Sequence, residues 1–154
     1  MSVEAAAQAL EGLALAEWLR MSRWGYAAVS ALHVFGIALL VGAIVPLNLR
    51  LLGLWRSMDI AALYPVLARV AATGLALAAA SGFLLFSARA AEYAALDLFA
   101  VKLALIGGGA THALVLHLGA HFPTVSRPRQ VASGVISLLV WPAALVCGRL
   151  LAFV

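Results

Sequence analysis

Four histidines are the side chains best suited to chemistry in this sequence: His33, His112, His117 and His121. His33 stands inside the run from Trp24 to Val45, about 22 residues without a formal charge. At ~1.5 Å rise per residue, such a run crosses about 30 Å of hydrocarbon. An imidazole is costly there, so it marks a functional site with a partner elsewhere in the chain. Two neutral imidazoles on facing helices at similar depth can hold a b-type haem. Counted from the end at which both spans begin, His33 lies roughly 14 Å deep, His112 roughly 21 Å and His117 roughly 28 Å. Depth therefore pairs His33 with His112. His117 and His121, four apart, can supply two imidazoles of a transition-metal site that needs a further ligand. A polar pair at headgroup level is the simpler reading of that spacing.

Cations come next. Lys102 and Arg149 stand inside apolar runs, toward the end nearer His33. Haem propionates would give both a partner, and snorkelling to the headgroups would satisfy each alone. Gly107, Gly108 and Gly109 interrupt the run that carries His112. Three helix-interior glycines cost roughly 2–3 kcal/mol relative to alanine, a cost explained by a flat group or another backbone approaching closely. Cys147 is the single cysteine, so no disulfide can form within the chain. The six acidic residues all lie outside the middles of the apolar runs. No nucleophile–base spacing, phosphate loop or zinc-protease motif is present, and hydrolase or kinase chemistry has no support.

The elements that must position these residues follow from composition. The chain has 154 residues, 66% hydrophobic and 10% charged, with a mean hydropathy of +1.08. Soluble domains carry about 25% charged residues, so this is the composition of an integral membrane protein. Its expected partner is the lipid bilayer. The basic residues are scattered singly, which excludes a nucleic-acid stripe. The expected fold is all-α: one membrane domain over 1–154, an up-down four-helix bundle with an N-terminal interfacial helix. That helix is expected at about 3–19, with an aromatic belt of Trp18, Trp24 and Tyr26. Spans are expected at about 24–45, 66–86, 98–119 and 131–153, with Pro46 kinking or ending the first. Gly74, Ala78 and Gly82 form a small-residue stripe that lets another helix approach. Both termini then share one end of the bundle, end A, with Arg20, Arg23 and Arg89. End B carries Arg50, Arg56, Arg69, Arg127 and Arg129, which favours it as cytoplasmic and puts the termini in the periplasm.

Several motifs recur in order along the chain: HxxG at His33–Gly36, LRLLG at Leu49–Gly53, then Tyr93, Phe99 and Lys102. His117 and W…GRLLAF, from Trp141 to Phe153, complete the set. Together they resemble a family of small bacterial four-helix membrane proteins of unknown function, over Trp18 to Phe153. The resemblance marks His33, Arg50, Tyr93, Lys102, His117, Trp141 and Arg149. It favours His117 where depth favours His112. Two positions depart from the family pattern: Asn48 where the family has aspartate, and His112 where it has an amide. By analogy alone, the family is similar in style to copper-resistance inner-membrane proteins and small b-type cytochromes.

Three expectations of function follow. The first is a bacterial inner-membrane electron-transfer protein with one b-type haem, held by His33 and a histidine of the third span and steadied by Lys102 and Arg149. The second is copper or proton handling by His33, His112, His117 and His121. The third is a structural subunit that packs onto a larger membrane complex through its small-residue faces, its histidines merely hydrogen-bonded. Beyond the bilayer, the partners expected are a redox partner, a larger membrane complex or a second copy of the chain.

Overall fold

The computed structural model describes residues 3–118 and 125–153. Among these the chain is helical with no strand: α1 Val3–Glu11, α2 Ala14–Met21, α3 Arg23–Leu52, α4 Ile60–Ala88, α5 Ala90–Ala94, α6 Asp97–Leu118 and α7 Arg127–Leu150. Four of these, α3, α4, α6 and α7, are long and apolar enough to cross a membrane. The expected all-α four-helix bundle is the observed architecture.

The single N-terminal helix expected over 3–19 is in fact two, broken at Gly12 and Leu13. Glycine costs about 1 kcal/mol in a helix interior, and here the chain turns. The two short helices lie across end A, against α5 and the end of α4. Polar contacts fasten them there. Arg20 donates from Nη2 to the Glu11 carbonyl at 2.8 Å and from Nη1 to the Ala88 carbonyl at 3.4 Å. The Glu11 carboxylate accepts from the Ala91 backbone N–H at 2.8 Å. Ser22 then caps α3 by accepting from Gly25 N–H at 3.0 Å.

Pro46 does not end α3, which runs on to Leu52. A proline removes one backbone donor, and membrane helices tolerate that loss. The stop is Gly53, at φ 115°, a left-handed conformation that suits glycine. Its N–H bonds the Arg50 carbonyl at 3.1 Å, and Leu54 N–H bonds that of Leu49 at 3.0 Å, the paired bonds of a Schellman ending. The connection expected over 46–65 therefore shrinks to 53–59. Asp59 starts α4 by accepting from Ala61 N–H at 3.0 Å.

Small residues decide how the long helices meet. A Cβ on Gly36 would stand 2.6 Å from the Ala78 backbone nitrogen, and one on Gly74 would stand 2.5 Å from that of Leu40. The backbones of α3 and α4 thus touch, as the Gly74, Ala78 and Gly82 stripe leads one to expect. Helix α7 packs on both α3 and α6, whereas α6 packs chiefly on α7 and α5 and meets α4 through the rings of Phe86 and Phe99. That unequal packing opens the space in which the site lies.

Candidate functional site

His33 faces α4, and the contact depends on its neighbour Gly36. Because Gly36 and Gly74 let the two backbones close up, the Ala78 carbonyl comes within 2.8 Å of His33 Nδ1, with Ser81 Oγ at 3.3 Å. A carbonyl can only accept, so Nδ1 carries the proton. In the neutral ring the lone pair is then on Nε2, which has no hydrogen-bond partner among the described residues. The ring itself lies over Gly82, where a Cβ would sit 2.9 Å from His33 Cε1. Ser81 is bonded back to its own helix, donating to the Leu77 carbonyl at 2.5 Å. Nδ1–H on a backbone carbonyl is the arrangement that fixes a ligating imidazole's tautomer and ring plane.

His33 lines a cavity of about 360 Å³, within the size range of small-molecule sites. Its walls come from α3, α4, α6 and α7 and are almost wholly apolar, with Lys102 as the other polar group. The Lys102 ammonium lies against α7. A Cβ at Gly148 would stand 3.2 Å from Nζ, so the missing side chain makes room for the cation. Lys102 has no carboxylate partner among the described residues; the ion pair found among them joins Arg89 and Glu92, at the surface. Toward end A the cavity closes on Phe86 and Phe99, whose rings stack with centroids 5.0 Å apart and planes 6° from parallel. Tyr93 packs on Phe99 from outside, with centroids 5.7 Å apart, and its burial pushes its phenol above the ordinary range.

His112 is elsewhere. It lines a second cavity of about 520 Å³ toward end B, with His117, Arg69 and Tyr64. Its Nε2 is bonded to Ser133 Oγ on α7 at 3.1 Å. Leu40, Leu75 and the buried Trp141 line both cavities and form the partition between them. The Trp141 indole seats on Gly109, where a Cβ would meet its Cε2 at 3.1 Å. The flat group that the glycine triplet makes room for is therefore this indole. Gly107 and Gly108 face open space.

The structure thus brings His33 and Lys102 to one cavity and places His112 and His117 in the other. Arg149 lines neither cavity; its guanidinium lies 4.7 Å from the Phe153 ring centroid. His121 lies outside the described residues. Among those described, no three His, Cys, Asp or Glu side chains group as a metal site would need. Asn48 is buried and donates to Ser137 Oγ on α7 at 2.8 Å. Arg50 turns instead to the Met58 and Arg56 carbonyls, so no 48–50 side-chain pair forms.

A bis-histidine haem site needs both imidazoles facing one cavity, and His33 with His112 does not meet that need. One axial imidazole with a free Nε2, an unpaired cation for a propionate and aromatic apolar walls do fit the smaller cavity. Comparison with known proteins finds no matching family model, no matching curated protein and no matching solved structure.

Proposed function

We propose that this chain is a multi-pass protein of the bacterial inner membrane that binds one b-type haem in the smaller cavity and serves electron transfer. The observation that carries the reading is His33: Nδ1–H held by the Ala78 carbonyl, and Nε2 without a hydrogen-bond partner among the described residues, in the same apolar space as Lys102, which has no carboxylate partner among them. The bound haem would supply a one-electron couple at its iron.

In this reading, His33 would hold the haem iron through Nε2. The Ala78 carbonyl raises the basicity of that imidazole and fixes its plane. Lys102 neutralises a propionate and keeps positive charge near the cofactor. The aliphatic and aromatic walls exclude water. His112 and His117 give no axial bond, and copper is not proposed for the histidines described. Lys102→Ala is expected to retain haem but lower its reduction potential, because losing a nearby cation favours the more positive oxidised iron. Potentiometric titration against the parent checks this; an unchanged or higher potential would remove Lys102 from the site.

The orientation we propose puts end B toward the cytoplasm and the termini toward the periplasm. End B is flanked by Arg50, Arg56, Arg69, Arg127 and Arg129 and end A by Arg20, Arg23 and Arg89, an excess at end B that Lys102 and Arg149, inside the spans toward end A, would level if counted. A reporter active only in the cytoplasm, fused after Val154, should stay silent. Strong activity would invert the topology.

A further inference from the structure

Three arginines gather at end B, around Gly53. Arg50 donates from Nε to the Met58 carbonyl at 2.8 Å and from Nη2 to the Arg56 carbonyl at 3.2 Å. Arg56 donates from Nε to the Gly53 carbonyl at 3.1 Å. These bonds use the inner edges of two guanidiniums to brace the 53–59 turn. The outer edge of Arg56 is left over, and it meets a third arginine. The same point beside Gly53, where a Cβ would stand, is 3.1 Å from Arg56 Nη2 and 3.3 Å from Arg127 Nη2 at the start of α7.

Two guanidiniums thus converge from separate elements with no carboxylate between them. Asp59 is the one acid at this end, and its Oδ1 is taken up as the cap of α4. Both side chains are exposed and could part freely. Like charges converging on one braced point is the arrangement that receives an anion, and planar guanidinium forks suit the oxygens of a phosphate. The position selects the source. Both arginines flank the ends of helices long and apolar enough to cross a bilayer, so they stand where phospholipid phosphates lie. We infer that Arg56 and Arg127, braced by Arg50, form a binding site for the phosphate of an anionic phospholipid. The glycine at 53 leaves room for it, since any side chain there would reach both guanidiniums.

The test is lipid binding to the detergent-purified full chain, read as the ratio of affinities for phosphatidylglycerol and phosphatidylcholine. The parent should prefer phosphatidylglycerol by about 30-fold, from about 1 kcal/mol for each of two arginines. Arg56→Gln with Arg127→Gln should erase the preference while helical content by circular dichroism holds. Arg23→Gln with Arg89→Gln, the same loss of two charges at the opposite end, should leave it intact. An equal loss in Arg23→Gln with Arg89→Gln would reduce the effect to net charge and overturn the site. A preference that survives the double substitution would overturn it too. Inorganic phosphate displacing the lipid at equal concentration would assign the site to a soluble anion and refute the lipid.

Discussion

His33→Ala protein should purify with less than about a tenth of the parent's haem, since the change removes the axial bond as well as the imidazole that fills the space over Gly82. His112→Ala should keep its haem. The contrast comes from the partition between the two cavities: His112 Nε2 is turned to Ser133, on the far side of Trp141. Haem content by pyridine haemochrome against protein concentration checks both. Haem lost from His112→Ala and retained by His33→Ala would assign the cofactor to the larger cavity. A second variant displaces the ring instead of deleting it. Gly82→Leu leaves His33 in the sequence but fills the place its ring occupies, and it should lose haem as His33→Ala does.

Trp141→Ala should cost the most stability of any single change, about 3–5 kcal/mol. The indole is buried, wedged on Gly109, and shared by the walls of both cavities. Its removal would join the two spaces into one and strip α6 of its main contact with the centre of α7. Thermal unfolding in detergent should fall by roughly 10 °C. Trp141→Phe, which keeps a flat ring, should fall by less. An unchanged unfolding temperature in Trp141→Ala would mean that the indole is not a wedge between α6 and α7.

The helices were legible because each is a long apolar run between charged flanks, and lipid-compatible runs of that length have few other uses. Helix ends were less so. Prolines at 46 and 65 read as breaks, yet both lie inside helices. Gly53 was the real stop, and its left-handed turn depends on bonds to Leu49 and Arg50 that spacing does not display. His33 and Lys102 were visible as polar groups in apolar runs. The pairing of His33 with His112 was not reliable, because counting rise along a helix gives depth and says nothing of the direction a side chain takes around it. His112 turns to α7 and His33 to α4, so similar depth did not bring them together. Phe86 escaped notice, and Phe99 was marked only within the family resemblance, because aromatic residues are ordinary in a span until two of them stack. Gly36 and Gly148 were marked only as letters of the HxxG and GRLLAF motifs, and their part in the packing was missed. Each is a glycine close to a polar residue of interest, and each turns out to make the close approach that positions one: Ala78 to His33, and α7 to Lys102.

The most direct measurement is the reduced-minus-oxidised absorption spectrum of the unmutated protein, purified after expression with haem supplied. The account predicts a Soret band and about one haem per chain, with the features of iron bound by a single imidazole. A protein that is well folded and colourless under those conditions would contradict it.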